Sequence, residues 1–298
     1  MKKIYLISAA GLVAAGLLVI LFIYLKKDAG TSPDVDSAGA NTQPTREKEV
    51  EGLKGDSTAQ QSSDWASKPA AEIDRNFHDT KNRAEAGDPV AQRQLAEMYE
   101  RCSIYSLSPE NFASTLDSFS KLKKENSSRY DQIKKRVAHY CNEIDGGKVI
   151  PSTAYNLWYE EAAKRGDLIA QLKVASGKAL SPEAYEDLVA KALESKDAEA
   201  IFAVEEMLSN SKGPTELGSY APEVGGNYSE FAWALAGCRA GADCGPGSYR
   251  MDSMCINYGV CNTSNYEDLI RKNFVSSGQL KVIDKEVERI QSMFKTNN

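Results

Sequence analysis

An uninterrupted apolar run near the amino terminus constrains this chain more than any other feature. It reads IYLISAAGLVAAGLLVILFIYL over residues 4–25 and has a pair of lysines on each side. At about 1.5 Å per residue, a helix of this length crosses a hydrocarbon core of about 30 Å. A cleavable secretory signal has a shorter apolar region, and small residues follow it; here the small residues lie inside the run. We therefore predict an uncleaved signal anchor over residues 1–27.

The charges beside this run and the cysteines indicate where the rest of the chain lies. The lysine pairs nearly cancel the positive-inside bias, but the segment that follows is acidic at Asp28, Asp34 and Asp36. Six cysteines, an even number, suit an oxidising compartment. We expect residues 4–25 to cross a membrane once, with the amino terminus in the cytoplasm and the carboxy-terminal domain outside it.

Residues 28–70 have the composition of a flexible linker. Gly, Ser, Thr, Asp, Gln and Pro dominate, and no apolar period emerges, so this segment does not bury enough surface to offset chain entropy. A random coil of this length would hold the domain on the order of 35 Å from the membrane. Trp65 stands out in the segment, and we interpret it as an early docking contact of the folded domain.

The pattern becomes helical over residues 71–298. Apolar residues recur at helical spacing, as at Ile73 and Phe77, and no run alternates with period two. The strings LSPENF and LSPEAY mark helix starts, since Ser108 and Ser181 suit the N-cap and the prolines that follow suit the first helical position. We predict an all-α domain.

Several segments of this domain repeat one pattern. AGDPVAQRQLAEMY begins at Ala86, RGDLIAQLKVASGK at Arg165, the weaker SKDAEAIFAVEEML at Ser195, and a faint fourth copy at Asn227. The glycine permits a left-handed turn, the aspartate caps the next helix, and the alanines let two helices approach closely. The motif residues are Gly87, Asp88, Ala91, Trp158, Ala162, Ala163, Gly166, Asp167 and Ala170.

These residues, above all the WYEEAAKRGD string, resemble the Sel-one-like branch of the tetratricopeptide-type repeats. The resemblance implies antiparallel helix pairs that stack into a solenoid and serve as a protein-binding scaffold. The helices from Pro109 to Cys141 lack the motif, so we expect an irregular α-solenoid. Residues 226–298 form a Cys-rich part that is similar to the carboxy-terminal part of bacterial envelope proteins with such repeats.

The spacing of the cysteines favours structural disulfides over a metal-binding or redox site. In the Cys-rich part, two cysteines end helices, a glycine turns the chain after each, and a second cysteine follows each turn. We predict the disulfides Cys238–Cys244 and Cys255–Cys261, although four cysteines allow three connectivities and the crossed pairings stay open. Cys102–Cys141 would close a loop of about 40 residues and contribute ~3–4 kcal/mol in the chain-entropy model.

No catalytic constellation emerges from the sequence. The chain has two histidines, and His139 lies two helical positions before Cys141, so the two side chains diverge by about 200°. His78 lies on a polar helix face. The cysteine spacings fit neither a zinc site nor a Cys-x-x-Cys redox centre. The pairs Glu160–Glu161 and Glu205–Glu206 are typical of a solvated helix face. We predict no catalytic, cofactor-binding or metal site.

A local basic patch comprises Lys121, Lys123, Lys124, Lys134 and Lys135. The formal net charge of −6 and the absence of interleaved aromatic residues argue against a nucleic-acid partner. Contact of this patch with anionic lipid headgroups or with an acidic partner stays open as an alternative.

Together with these features, the resemblance implies a helical-repeat protein that residues 4–25 anchor in the inner membrane of a bacterial cell envelope. Its periplasmic domain is expected to bind a protein or peptide as a scaffold or adaptor. Two alternatives stay open: an envelope enzyme that acts on wall polymer through surface carboxylates, and a structural spacer of a membrane complex. A concave groove with aromatic and charged lining favours binding, whereas a deep pocket with two facing carboxylates favours the enzyme. The sequence does not predict an oligomeric state.

Overall fold

The computed structural model describes residues 65–212, 215–222 and 229–296. Over these ranges the chain forms twelve α-helices and no strand, which confirms the predicted all-α class. The helices are α1 (Ala70–Glu85), α2 (Pro89–Leu107), α3 (Pro109–Leu122), α4 (Ser127–Cys141), α5 (Ser152–Lys164), α6 (Leu168–Ala175), α7 (Pro182–Ser195), α8 (Ala198–Ser209), α9 (Ser229–Ala240), α10 (Tyr249–Tyr258), α11 (Tyr266–Asn273) and α12 (Leu280–Thr296).

Some predictions fall on parts of the chain that are not described. The expected anchor at residues 4–25, the linker up to residue 64 and the start of the faint fourth copy at Asn227 lie outside the described residues. Among the described helices, none combines the length and the apolar character that a bilayer crossing requires.

The two predicted serine caps are present. The Ser108 hydroxyl accepts a hydrogen bond from the Asn111 amide and the Ser181 hydroxyl accepts one from the Ala184 amide, both at 3.3 Å. A proline follows each serine at the start of α3 and α7. Proline suits this position because the amide that it lacks has no intrahelical acceptor there. Local chemistry therefore decides where these two helices begin.

Short turns join successive helices into the pairs α1–α2, α5–α6 and α7–α8. Gly87 and Gly166 take φ +94° in the first two turns, a left-handed conformation that favours glycine. Helix α2 also packs on α5, and the Ile150 amide, just before α5, donates a 3.0 Å hydrogen bond to the Ser106 hydroxyl. Helix α8 packs on α6 and α9, so the pairs are linked through their neighbours.

The contact between α8 and α9 is especially close. A Cβ atom added at Gly237 would lie 2.8 Å from the Phe202 backbone nitrogen and 3.0 Å from its Cα atom. Side chains larger than hydrogen do not fit at that separation, so this glycine sets how near the two helices lie. The buried residues Trp233 and Val204 lie on the same two helices.

The domain has two main hydrophobic cores. The N-terminal core is built mainly by α1 to α4, and the C-terminal core mainly by α6 to α9, α11 and α12. Their largest fully buried side chains are Phe77, Leu95, Leu116, Tyr130, Ile133 and Ile144 in the first and Leu172, Tyr185, Leu193, Ile201, Met207 and Trp233 in the second.

Helix α10 connects the two cores. Met251 is buried in the C-terminal core, whereas Cys255, one turn later, is buried in the N-terminal core. Arg129 of α4 donates to the Asp252 carboxylate at 2.9 Å across a sequence separation of 123 residues. In a linear solenoid each repeat contacts only its neighbours, so α10 departs from that scheme. The helix pairs are present, and their stacking into a solenoid stays a prediction.

All six cysteines lie at disulfide distance in three pairs, and these are the pairs that the spacing favoured. The long disulfide Cys102–Cys141 has an S–S distance of 2.04 Å and ties α2 to α4 across 39 residues. The two short disulfides, Cys238–Cys244 and Cys255–Cys261, have S–S distances of 1.96 and 2.00 Å and each spans six residues. They lie at the carboxy-terminal ends of α9 and α10.

Candidate functional site

The aspartates of the repeat motif cap helices. The Asp88 carboxylate accepts hydrogen bonds from the Val90 amide at 3.0 Å and the Ala91 amide at 3.2 Å at the start of α2. Asp167 accepts one from the Ala170 amide at 2.8 Å at the start of α6. The same residue type therefore satisfies the same unpaired amides in both copies.

A further contact recurs in both copies. The Gln92 side-chain amide donates to the Ala84 carbonyl at 3.0 Å, and the Gln171 amide donates to the Ala163 carbonyl at 3.2 Å. Each glutamine follows the motif alanine and reaches back over the glycine turn. The two copies thus have one local geometry over cap, turn and backbone contact.

The remaining motif residues pack the helices. Ala91, Ala162 and Ala170 are fully buried, and the last two lie in a small cluster between α2, α5 and α6. Trp158 and Ala163 are half-buried beside it. The motif residues therefore form turns and pack helices, and the polar side chains that could bind a ligand or catalyse a reaction lie elsewhere.

The third copy follows the pattern with one change. Asp197 caps α8 by accepting from the Glu199 amide at 2.9 Å. No glycine precedes it, and Lys196 takes the left-handed conformation at φ 56° instead. The weak sequence match at this copy still folds into the same turn and cap.

Charged side chains link the motif to an inner surface of the domain. Arg93 of α2 donates to the Asp167 cap at 3.0 Å and to Glu97 at 2.6 Å. Glu97 also lies 3.7 Å from Arg101, one turn further along α2. A row of alternating charges therefore runs along this helix and reaches the next helix pair.

The row continues across α6 and α8 through Lys173. Its ammonium group lies 2.7 Å from Glu206 of α8 and 3.6 Å from Glu100 of α2. The Tyr159 hydroxyl donates to Glu100 at 2.6 Å. Burial alone would lower the pKa of Lys173, but the two carboxylates outweigh it and raise that pKa above its ordinary value. Lys173 is therefore a permanent cation that joins three helices.

Helix α10 supplies the opposite wall. The Arg101 guanidinium lies 5.4 Å from the centre of the Tyr249 ring, and the Arg250 guanidinium lies 3.8 Å from that of Phe202. Arg250 also forms an ion pair with Glu199 at the start of α8. Burial and the nearby Glu100 raise the pKa of Tyr249 to about 12. Cation–π contacts of this kind hold the two walls face to face.

The charged groups on these helices form one cluster that is partly exposed. Lys173, Arg101 and Arg250 keep 23, 28 and 22% of their side-chain surface exposed. Burial is nevertheless the largest single influence on the pKa of each. Protein atoms therefore surround much of each group, while part of its side chain contacts water. We call this cluster the charged recess; it comprises Glu100, Arg101, Tyr159, Lys173, Glu205, Glu206, Tyr249 and Arg250.

Glu205 is the unusual group of the charged recess. It forms no hydrogen bond or salt bridge with another described residue, and it is only partly exposed. Burial raises the pKa of Glu205 to about 8, and the negative charges of Glu206 and Glu230 add to the effect. Lys173 and Arg250 act in the opposite direction but do not offset it. At neutral pH this carboxyl is therefore mainly protonated.

A buried carboxylate fixes the recess wall from behind. Asp252 of α10 is fully buried; it accepts from the Trp65 indole at 3.2 Å and from Arg129 at 2.9 Å, and Arg136 lies 3.0 Å away. The Trp65 ring packs edge-on against Tyr140, with centroids 4.7 Å apart. Trp65 is thus a docking contact of the domain, as predicted.

The predicted carboxylate pairs have different surroundings. Glu160 is exposed and Glu161 pairs with Lys164 at 2.9 Å on the outer surface, as expected of a solvated face. Glu205 and Glu206 instead line the charged recess, which corrects their interpretation as a solvated face. The reason is that α8 packs between α6, α7 and α9 and leaves little of its surface outside.

The other side chains that could catalyse a reaction or bind a metal do not lie together in one site. His78 and His139 are exposed; His78 lies 3.5 Å from Asp74, and His139 contacts the Lys68 carbonyl at 2.8 Å. Over the described ranges, no group of three or more His, Cys, Asp or Glu side chains is arranged to hold a metal ion. Sequence reasoning missed Arg101, Tyr249 and Arg250, because only the return of α10 brings them together.

Comparison with known proteins gives no family model, no curated protein and no solved structure that matches this chain. The charged recess is therefore interpreted from its own geometry.

Proposed function

We propose that this chain is a membrane-anchored envelope protein whose helical domain binds a peptide segment of a partner protein in the charged recess. In this proposal the helix pairs belong to the Sel-one-like type, and the domain acts as a scaffold or adaptor in the periplasm. The observation that supports the proposal most is the grouping of cations, carboxylates and tyrosines in the charged recess, where the charged side chains stay in contact with water.

The chemistry of the lining favours a peptide over an apolar small molecule. Apolar ligands require a mostly apolar pocket, whereas here Arg101 and Lys173 face Glu100 and Glu206. A peptide backbone offers alternating donors and acceptors to such groups, and tyrosine adds a large contact surface with little loss of side-chain freedom. Arginine and tyrosine are also the residue types that dominate binding energy at protein interfaces.

The proposal is tested by recovering partners from envelope extracts with the full chain as bait. Lys173→Met keeps the length of the side chain but removes the charge that joins α2, α6 and α8. We expect this variant to bind a recovered partner at least about tenfold more weakly, which corresponds to ~1.4 kcal/mol. Lys164→Met, on the exposed end of α5, is the matched control and should bind as the unmodified chain does.

Circular dichroism and intact disulfides must first show that both variants fold. Failure to recover any partner, or equal binding by the two variants, would contradict the proposal. A partner lost only on removal of the anchor would instead favour the structural spacer.

One observation favours a second candidate, an enzyme that acts on wall polymer. Burial keeps Glu205 mainly protonated at neutral pH beside the carboxyl group of Glu206, and a protonated carboxylic acid next to a second carboxyl group is the usual arrangement for general acid catalysis. Glu205→Gln separates the two candidates, because glutamine imitates the protonated acid in shape but does not donate its proton. Peptide binding should survive this change, whereas hydrolysis of wall-polymer fragments should be lost.

A further inference from the structure

The corner at the end of α3 carries the most exposed large apolar side chain of the described residues. Leu122 is 82% exposed, and the lysines on both sides of it, Lys121, Lys123 and Lys124, are exposed as well. An isolated leucine on a helix end needs no explanation, but here cations surround it. We call the set Lys121, Leu122, Lys123, Lys124 and Tyr258 the lysine corner.

Tyr258 belongs to this corner because α10 ends against it. The Lys123 ammonium donates to the Gly259 carbonyl at 3.2 Å, and a Cβ atom added at Gly259 would lie 2.6 Å from that ammonium nitrogen. Tyr258 precedes this glycine and is 62% exposed. Its ring packs edge-on against Phe274, with centroids 5.8 Å apart. The corner is thus a fixed surface made by two distant parts of the chain.

The basic patch is smaller than the sequence suggested. Lys134 forms an ion pair with Asp117 and lies 3.5 Å from Asp131, so its charge is balanced within the domain. Among the described residues of the patch, Lys135 and the three lysines of the lysine corner are exposed and form no ion pair with a carboxylate. The lysines of the corner lie beside an exposed leucine and an exposed tyrosine.

We propose that the lysine corner contacts the anionic lipid surface of the membrane in which residues 4–25 are predicted to anchor the chain. Lysine side chains reach anionic headgroups while their methylene stems cover apolar surface. Tyrosine is enriched at the membrane interface, and a leucine between them enters the acyl boundary. A soluble acidic partner would match the lysines but would leave Leu122 in water.

Because the predicted linker would tether the domain near the membrane, even a weak affinity of the lysine corner for lipid is enough for contact. A flexible linker over residues 28–70, as predicted, would hold the domain on the order of 35 Å from the bilayer, and a compact domain of this size has a radius of gyration of about 17 Å. The lipid surface is therefore always within reach, and its effective concentration at the corner is high. Each lysine near an anionic surface contributes about a fivefold gain in binding, ~1 kcal/mol.

The test places a tryptophan at position 122 of the full chain. Leu122→Trp is incorporated into vesicles of phosphatidylcholine alone, or of equal parts phosphatidylcholine and phosphatidylglycerol, that carry lipids brominated near the headgroup. Leu157→Trp is the matched control, because Leu157 is 61% exposed on α5 but lies near Glu160 and Glu161. The fluorescence of the chain without either substitution gives the baseline for the native tryptophans.

We expect bromine to quench the tryptophan at 122 in the anionic vesicles and to leave that at 157 unquenched in both. Added Lys121→Glu and Lys124→Glu substitutions should weaken the contact about 30-fold or more and abolish the quenching. Equal quenching at the two positions, or no difference between the two lipid mixtures, would overturn the proposal. Flotation of the vesicles tests the predicted anchor separately. A chain that does not float with the neutral vesicles would contradict the anchor at residues 4–25. Quenching in the anionic vesicles would still test whether the lysine corner contacts lipid.

Discussion

The carboxyl group of Glu205 makes the stability of this domain depend on pH, and the substitution Glu205→Gln should remove that dependence. Burial raises the pKa of Glu205 from 4.5 to about 8. Below pH 4.5 the carboxyl is protonated in both the folded and the unfolded chain. Between pH 4.5 and 8 the unfolded chain ionises while the folded chain keeps the proton, so the free energy of unfolding falls as pH rises.

The magnitude follows from the size of that shift. One pKa unit corresponds to about 1.4 kcal/mol, so ionised Glu205 would lower the free energy of unfolding by at most ~5 kcal/mol. Water enters the recess and the neighbouring charges relax, so we expect about half of that, ~2–3 kcal/mol. The groups that face Glu205 are Glu206 on its own helix, Glu230 of α9, Lys173 of α6 and Arg250 of α10.

The measurement is urea unfolding of the full chain in mild detergent at a series of pH values. Glu205→Gln should match the unmodified chain near pH 4.5 and be ~2–3 kcal/mol more stable at pH 8 and above, because glutamine resembles the protonated acid. Exposed Glu160→Gln is the control and should show no difference. A difference that does not vary with pH, or a Glu205→Gln variant that is less stable at pH 8, would refute the environment assigned to this carboxyl.

Three further substitutions test the parts that hold the recess together, each by urea unfolding. Asp252→Asn should destabilise the domain by about 3 kcal/mol and shift the emission of Trp65, because two arginines lose a buried counter-charge; an unchanged midpoint would contradict this role. Gly237→Ala should cost about 1–3 kcal/mol, since its methyl group would overlap the backbone of α8. Alanines in place of the long disulfide should cost ~4 kcal/mol against ~2 kcal/mol for either short disulfide, and equal losses would refute the loop-length argument.

The sequence predicts the local features of this fold well because each depends on a few adjacent residues. A serine and a proline define the start of α3, and a glycine and an aspartate define the turns before α2 and α6. The short disulfides follow from a glycine turn that brings the second cysteine back to its helix. Even the weak third copy forms the expected turn and cap, although Lys196 stands where the glycine would be.

The charged recess was not predictable in the same way, because its members come from distant parts of the chain. Lys173 meets Glu100 across more than seventy residues, and Arg101 meets Tyr249 across about twice that distance. Periodicity places each of them on a polar helix face, where a solvated surface is the ordinary expectation. The same limit explains Glu205, since its pKa depends first on burial between helices and then on the charges of Glu206 and of Glu230 from another helix.

The position of α10 connects the cysteines to the recess. This helix carries Tyr249 and Arg250 at its start, and it follows one short disulfide and ends at the other. Between these staples, Asp252 fixes the helix to α4 through two arginines. The opposite wall, α2, is tied to the same α4 by the long disulfide. Each disulfide therefore helps to hold a helix that lines the charged recess. The arrangement that we propose for binding is thus most stable in an oxidising compartment, which the cysteine usage favours.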